Sequence, residues 1–247
     1  MAYLDVKYFS GALGQMSAFG AIVPDGLTDD IPTMYLLHGL SDDYTAWQRY
    51  TAIEKYAEAH GMAVIMPGGA RSFYEDMVYG RNYYTHVAKE VVEESRKLFR
   101  LSHKREKTFI AGLSMGGYGA FKIAMRNPDV FSAAGSLSGV VDMPGATAQK
   151  LWDNDAKLIF GDDFANCISG SDADLFALAD KIAADKKDLR LIQIEGDEDF
   201  LLDGNRRFSE YAEKLGLDLT YAEHPGNHSW DFWDRYIVDV MDFFCGR

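Results

Sequence analysis

Cysteine is scarce in this 247-residue chain, and its two cysteines, Cys167 and Cys245, form neither a CxxC motif nor a metal-binding knuckle. So few thiols are typical of a reduced cytoplasmic protein that does not depend on disulfide bonds. The first residues include Asp5 and Lys7, where a signal peptide needs an unbroken apolar core. No window approaches the roughly 18 apolar residues that a membrane span requires. We therefore expect a cytoplasmic protein that makes no use of a membrane.

Positive charge is also in short supply. The chain has 25 lysine and arginine residues against 38 aspartate and glutamate residues, which gives a net charge of −13. A nucleic-acid binder needs basic side chains to displace the counterions of the phosphate backbone, so this balance argues against that class. The sequence also lacks a G-x-x-x-x-G-K-S/T loop and a G-x-G-x-x-G turn after its first strand, which cradle phosphates and dinucleotides. We therefore expect no cofactor.

Proline occurs only six times, and no linker, repeat or low-complexity tract divides the chain. Short apolar runs alternate with helical patterns instead. The first two runs follow each other through a short turn, which predicts an antiparallel hairpin. The later runs are separated by helix-like sequence, which predicts right-handed crossovers and a parallel sheet. The predicted strands are 4–9, 16–23, 33–38, 62–66, 108–112, 132–137, 189–195 and 217–223, and the predicted helices are 85–101, 114–126, 174–184, 205–215 and 229–244.

The sequence therefore predicts an α/β protein with a mostly parallel eight-stranded sheet, an antiparallel N-terminal hairpin, and helices on both faces. We expect residues 1–247 to form a single domain. The regular pattern breaks down between Val140 and Ser171, where Pro144 and three glycines mix with short apolar pieces. Long loops in compact domains are usually functional, so residues 140–171 are predicted to be a small lid-like insertion.

One motif suggests chemistry. Gly112, Ser114 and Gly116 fit the pattern G-x-S-x-G, with a predicted strand before it and a predicted helix after it. A serine on such a tight turn is held in a strained backbone conformation, and the flanking glycines remove side chains that would collide there. The turn exposes the serine hydroxyl and directs the helix N-terminus at an oxyanion. The context predicts Ser114 as a nucleophile.

A serine hydroxyl is a weak nucleophile and needs a base that is held by an acid. In α/β-hydrolases the acid and then the histidine follow the serine, each after a later strand. Here strand 189–195 leads into three candidate acids, and strand 217–223 leads into two candidate histidines. Position alone does not choose among the carboxylates. The candidates are Asp197, Glu198 and Asp199 for the acid, and His224 and His228 for the base.

The two histidines also fit the H-x-x-x-H pattern of a metal pair. Pro225 and Gly226 lie between them, and a helix interior does not tolerate these two residues. No third ligand with suitable spacing accompanies the pair, so we expect no metal site. The other histidines at positions 60, 86 and 103 are interpreted as ordinary surface residues.

A turn after the third strand completes the predicted site. Gly39 lets the backbone turn, so that the N–H of Leu40 faces the serine, while the N–H of Met115 supplies a second donor to the oxyanion. The His38 ring is interpreted as a structural hydrogen-bonding group, because this scheme uses the backbone of the turn.

Several segments carry a family resemblance: residues 35–40 (YLLHGL), 82–85 (NYYT), 104–122 (KREKTFIAGLSMGGYGAFK), 196–201 (GDEDFL) and 228–230 (HSW). Through them the chain resembles the esterase D family of serine esterases, and within it the bacterial tributyrin-esterase-type carboxylesterases. The resemblance implies an α/β-hydrolase fold and hydrolysis of carboxylic esters without a cofactor. Carried over by position, it implies Ser114 as nucleophile, His228 as base and Asp199 as acid.

The predicted function is hydrolysis of short-chain acyl esters through an acyl-enzyme, with a small-molecule ester as partner and with a homo-oligomer left open. Three alternatives stay open: an S-formylglutathione hydrolase-type thioesterase, an acetyl or feruloyl esterase for plant-polymer fragments, and a non-catalytic hydrolase-fold binding protein. Six aromatic residues are predicted to wall the substrate pocket, with core packing as the alternative for each. They are Trp47, Tyr83, Tyr84, Trp152, Phe200 and Trp230.

Overall fold

An eight-stranded sheet runs through the computed structural model, which describes residues 1–26 and 29–247. The spatial order of the strands is β1-β2-β4-β3-β5-β6-β7-β8. The strands are β1 Ala2–Ser10, β2 Gln15–Val23, β3 Thr33–Leu37, β4 Ala63–Pro67, β5 Thr108–Leu113, β6 Ala133–Leu137, β7 Arg190–Gly196 and β8 Leu219–His224. All eight predicted strands are present, with ends that differ by one or two residues.

Most of the helices connect these strands. They are α1 Ala46–Tyr50, α2 Ile53–His60, α3 Tyr83–Thr85, a π-helix His86–Val91, α4 Val92–Leu98, a short 3₁₀ turn Arg105–Lys107, α5 Met115–Arg126, α6 Met143–Ala148, α7 Asp153–Phe160, α8 Phe164–Cys167, α9 Leu175–Ala184, α10 Leu202–Leu215 and α11 Trp230–Cys245. In the described part of the chain, none of the helices has the length and apolar character needed to cross a membrane.

The strand pairing confirms the predicted mixed sheet. β1 pairs antiparallel with β2, from Ala2 opposite Val23 to Ser10 opposite Gln15. β2 pairs antiparallel with β4, and every pairing from β4 through β3 to β8 is parallel. The parallel strands need crossover helices, which cover both faces of the sheet and bury it.

Side chains of β3 show how the two faces are filled. Tyr35 and Leu37 join an apolar cluster with α5, α9 and α10, whereas Met34 and Leu36 join a second cluster with α2 and α11. Successive residues of a strand point to opposite faces, so each strand contributes to both layers. The core thus lies on both sides of the sheet and leaves the strand ends free for a site.

Three features differ from the expectations. Helices α1, α2, α6, α7 and α8 are additional to the predicted ones, because they are short and carry little periodic signal. The predicted helix 85–101 begins at Tyr83, ends at Leu98 and contains the π-helix. His86 lies in that wide turn with no exposed surface, and the His60 side chain is 4% exposed, so the surface interpretation was wrong for both.

Candidate active site

Ser114 lies on the turn between β5 and α5 with φ 53° and ψ −119°. A positive φ is costly for a serine, and such strain persists where the surrounding structure enforces it. The two motif glycines make the turn sterically feasible. A Cβ on Gly116 would lie 2.5 Å from the carbonyl oxygen of Leu37, and a Cβ on Gly112 would lie 2.5 Å from the backbone of Gly116. The glycines therefore let strand and helix approach closely enough to present the serine.

We expect Gly116→Ala to lower both stability and esterase activity, because the new methyl group meets backbone atoms that have no room to move aside. Overpacking of this kind costs about 1–3 kcal/mol in well-packed regions. Thermal unfolding followed by circular dichroism measures the effect. Gly68→Ala is the matched control, since its Cβ would meet its nearest atom at 3.6 Å. Equal melting temperatures for both variants would contradict this account of the turn.

The structure brings together three of the predicted side chains in a continuous hydrogen-bond chain. The Ser114 Oγ lies 3.0 Å from His228 Nε2, and His228 Nδ1 lies 2.8 Å from Asp199 Oδ2. Both distances are within the normal range for hydrogen bonds. Asp199 follows β7 and His228 follows β8, so the carboxyl ends of neighbouring parallel strands deliver the acid and the base to the serine.

Burial distinguishes Asp199 from its two acidic neighbours. The Asp199 side chain is completely buried, whereas Asp197 and Glu198 are exposed. Asp197 instead accepts a 3.0 Å hydrogen bond from the backbone N–H of Gly226 and so ties the acid loop to the histidine loop. Burial acts to raise the pKa of Asp199, but the hydrogen bond and charge of His228 outweigh it and lower that pKa. Asp199 is therefore suited to remain ionised beside an imidazolium.

Sequence reasoning missed two residues that support the acid and the base, namely Ser138 and Trp233. Ser138 has φ 49°, accepts a 3.1 Å hydrogen bond from Trp233 Nε1, and its hydroxyl also interacts with the carboxylate of Asp199. The Trp233 ring lies edge-on against the ring of His228, with a centroid separation of 4.9 Å. The Phe200 ring packs against the same His228 ring at 4.8 Å. The imidazole is thus confined by aromatic rings. No local motif marks Ser138, since it reaches the site from the end of β6.

The turn after β3 is held by side-chain hydrogen bonds. His38 is buried, its Nδ1 lies 2.7 Å from the carbonyl oxygen of Gly39, and its Nε2 accepts a 2.8 Å bond from the N–H of Gly69. Burial lowers the pKa of His38, which favours the neutral ring that these contacts require. This confirms the structural role predicted for His38. The hydroxyl of Tyr74 also donates to the His38 carbonyl at 2.9 Å, a contact that no sequence pattern predicts.

The two predicted oxyanion donors belong to residues near Ser114 in the structure. Leu40 lines the same cavity as the serine, and Met115 is the first residue of α5. The first N–H groups of a helix have no partner within the helix, so they are free to bind an anion. Asp42 also lines this cavity, and its carboxylate accepts a 3.2 Å bond from the N–H of Gly39. Asp42 thus stabilises the turn that carries Leu40.

A cavity of about 320 Å³ opens beside Ser114 and His228. Of the predicted aromatic wall, Trp152, Phe200 and Trp230 line it, and Trp233 lines it as well. Exposure is uneven, because 60% of Phe200 remains accessible to solvent. The aromatic side chains that line the cavity therefore come from three segments, which are the start of α7, the loop after β7, and α11.

The other three predicted wall residues are not part of this lining: Trp47 and Tyr84 pack in the core, and Tyr83 is partly buried beside His86. Trp47 is 1% exposed and donates a hydrogen bond from Nε1 to the carbonyl oxygen of Leu37. Its ring packs edge-on against the ring of Trp230 at 5.2 Å. Tyr84 is buried under the guanidinium of Arg126, 3.8 Å from its ring. Tyr83 packs its ring edge-on to His86. The pocket assignment is therefore corrected for Trp47, Tyr83 and Tyr84, because sequence position does not show which way an aromatic side chain points.

The other candidate histidine, His224, is the last residue of β8 and is used for packing. The His224 ring stacks on Tyr236 with a centroid separation of 4.3 Å and an interplanar angle of 9°. Across residues 1–26 and 29–247, no three His, Cys, Asp or Glu side chains cluster in a way that suits a metal ion.

Comparisons with known proteins show the family of the chain. The family model named Esterase matches residues 10–243. An acetyl esterase of Caldicellulosiruptor saccharolyticus is 32% identical, and the alignment covers 98% of each chain. The solved structure of FphF, a fluorophosphonate-binding serine hydrolase of Staphylococcus aureus, has a TM-score of 0.92 at 33% identity, over 99% of this chain and 98% of that one. An S-formylglutathione hydrolase of the same organism has a TM-score of 0.88 at 34% identity, with the same coverage.

Proposed function

The chain belongs to the Esterase family and is a carboxylic ester hydrolase of the serine-esterase class, and from this premise we propose that it cleaves short-chain acyl esters through Ser114, His228 and Asp199. The observation that carries the proposal is the unbroken hydrogen-bond chain from the Ser114 hydroxyl through His228 to the buried carboxylate of Asp199. Nucleophile, base and acid have this arrangement in unrelated hydrolases, where geometry and not sequence position defines the roles.

In the first half of the proposed reaction, Ser114 Oγ attacks the ester carbonyl carbon while His228 Nε2 takes its proton. Asp199 accepts the hydrogen bond from Nδ1, which keeps Nε2 free to receive that proton and stabilises the resulting imidazolium. The oxyanion lies against the N–H groups of Leu40 and Met115, where one such donor is worth about 3–4 kcal/mol in comparable sites. Collapse of the tetrahedral intermediate passes the proton to the leaving alcohol and forms the acyl-enzyme.

Water then attacks the acyl-enzyme, with His228 again acting as the base. The carboxylic acid is released and Ser114 recovers its proton. Because the acyl group stays on the serine between the two halves, the nature of the alcohol affects only the first half. A burst of alcohol release ahead of steady-state turnover would reveal the acyl-enzyme in stopped-flow measurements with p-nitrophenyl acetate.

Within the family, we assign the chain to the esterase D group and to its tributyrin-esterase-type branch. The motifs around Ser114, Asp199 and His228 support this assignment. A cytoplasmic location belongs to the same proposal, and it is supported by Cys167 and Cys245, which are both free thiols.

We also propose that residues 140–171, within one domain, form a lid over the acyl side of the cavity. Trp152 at the start of α7 brings the lid to the cavity and packs on Phe73 at 5.4 Å. Asp155 forms a two-point salt bridge with Arg71, and the N–H of Val78 donates to the carbonyl of Ile159 at 2.9 Å. These contacts fix α7 against the loop before α3. Leu158 is 48% exposed and lies away from the cavity lining.

Trp152→Ala should move the preferred acyl chain to greater length. A wall of bulky aromatic side chains limits the depth of the cavity. We therefore expect kcat/KM to rise from acetyl toward butyryl esters, with about 0.8 kcal/mol gained for each buried methylene. It should fall once the acyl chain is long enough to meet the wall. Truncation of Trp152 removes part of that wall. A series of p-nitrophenyl esters from acetyl to decanoyl measures the peak in both enzymes. A steady rise through decanoyl in the wild type, or an unmoved peak in the variant, would contradict this role.

Asp42 bears on the competing thioesterase function. Its side chain lines the cavity beside Ser114 and His228. An ionised carboxylate at this position repels the carboxylates of a substrate and so weakens its binding, and glutathione thioesters carry such carboxylates. We therefore expect simple uncharged esters to be better substrates than S-formylglutathione. Parallel kcat/KM measurements with p-nitrophenyl acetate, S-formylglutathione and a feruloyl ester test the choice, and a preference of tenfold or more for S-formylglutathione would reverse it.

A further inference from the structure

A second carboxyl group lies behind the proposed acid. Glu195 is the next-to-last residue of β7, four positions before Asp199, and its side chain has no exposed surface. Among the described residues, neither of its oxygens has a hydrogen-bond partner of normal geometry, and the nearby backbone N–H of Gly196 stabilises the charged form too weakly to offset burial. An ionised carboxylate that is buried without donors is strongly unfavourable. The ester-cleavage steps described above do not use this group.

The surroundings of Glu195 are acidic on both sides. Asp199 lies next to it on the loop after β7, and Glu223 lies directly opposite on β8, close to the hydroxyl of Tyr221. The basic side chains of Arg206 and His228 are engaged by other carboxylates, because Arg206 forms a two-point salt bridge with Glu223 and His228 binds Asp199. Burial and the adjacent charge of Asp199 raise the pKa of Glu195 to about 10.

We infer that Glu195 is a neutral carboxylic acid whose O–H donates a hydrogen bond to the carboxylate of Asp199, and that it positions this acid for His228. The inference rests on the proposed function, since it assigns Asp199 to the triad. Two ionised carboxylates repel each other, whereas a protonated one is a donor and the other its acceptor. The proton thus converts an unfavourable pair into a stabilising contact.

The contact has a geometric consequence for the site. Asp199 Oδ1 accepts from the N–H of Leu201 at 3.0 Å, and Oδ2 faces His228 Nδ1. A donor from Glu195 on β7 adds a further anchor on the carboxylate of Asp199. Such supporting contacts fix the orientation of the groups that react, although they touch no substrate. Glu195 is therefore a positioning residue.

The protonation of Glu195 is tested through stability. Above the ordinary carboxyl pKa of 4.5, the unfolded chain releases this proton, whereas the folded protein retains it until about pH 10. Wild-type stability is therefore lost as pH rises through this window, and Glu195→Gln, which has no proton to release, escapes that loss. We expect the melting temperature of Glu195→Gln relative to wild type to rise by several degrees between pH 5 and pH 9. Glu213→Gln, a change at an exposed residue, serves as the control. Its melting temperature relative to wild type should not vary with pH.

The positioning role is tested through turnover. Glu195→Leu removes the donor and keeps most of the volume, whereas Glu195→Gln keeps an N–H donor. We expect Glu195→Leu to lower kcat about tenfold to hundredfold with little change in KM, and to displace the acid limb of the kcat/KM profile, while Glu195→Gln restores most of the activity.

Two results would overturn the inference. A melting-temperature difference for Glu195→Gln that does not vary with pH would show that Glu195 is not protonated in the fold. Unchanged kcat and pH profile in Glu195→Leu would show that it does not position Asp199. If Glu195→Leu does not fold, the Glu195→Gln melting series still decides the protonation. Because that series needs no turnover, a failure of the esterase proposal is distinguishable from a failure of this one.

Discussion

Ser114→Ala is expected to lower kcat for p-nitrophenyl acetate by several orders of magnitude, and losses of about 10⁶-fold follow removal of the serine in a comparable triad. The reason is that the acyl-enzyme has no oxygen on which to form. The variant should fold normally, because alanine and serine meet the same restriction at φ 53° and the Ser114 hydroxyl contacts His228. Initial rates over a range of substrate concentrations, with circular dichroism for the fold, measure both effects.

Covalent labelling provides an independent readout for the same variant. A fluorophosphonate probe reacts with an activated serine, so wild-type protein should be labelled at Ser114 and the alanine variant should not. Ser209→Ala is the control, since Ser209 lies on α10 and does not line the cavity, and its labelling should match that of the wild type. Labelling of the Ser114 variant at the wild-type rate would disprove the nucleophile assignment.

Asp199→Asn is expected to reduce kcat by about 10⁴-fold, as the corresponding change does in a comparable triad. The asparagine amide donates a hydrogen bond where the carboxylate accepts one. His228 Nδ1, which lies 2.8 Å from Asp199 Oδ2, must then become the acceptor and place its proton on Nε2. In that tautomer Nε2 no longer takes the proton of Ser114. The loss should appear in kcat with substrate binding nearly intact, which steady-state kinetics separates.

The neighbouring aspartate gives the control for this change. Asp197→Asn keeps the oxygen that accepts from the N–H of Gly226, and the side chain is exposed. We expect its kcat to stay within about twofold of wild type, since surface changes of this kind have small effects. If Asp197→Asn lowers kcat severely and Asp199→Asn does not, the acid has been assigned to the wrong residue.

The sequence by itself determined the architecture and the neighbourhood of the site. Alternating apolar runs and helical patterns predicted all eight strands and the mixed sheet, because burial on both faces demands continuous apolar strands. The glycines at 112 and 116 predicted the turn at Ser114, since backbone contacts at 2.5 Å leave no space for a Cβ. These features depend on residues that are near one another in the chain, and they can therefore be predicted from the sequence.

Tertiary structure decided which side chains meet. Asp197, Glu198 and Asp199 follow the same strand, and the fold buries Asp199 and directs it at His228. Trp152 reaches the cavity, whereas Tyr84 turns into the core, although both are aromatic residues in loop or helix positions.

The same holds for the supporting groups. Ser138 and Glu195 approach Asp199 from the ends of β6 and β7, and no short motif links them to the acid. Neither the direction of a side chain nor its partners across a sheet follows from the spacing of residues along the chain. Both depend on the register of the strands and on the packing around them, which only the folded chain specifies.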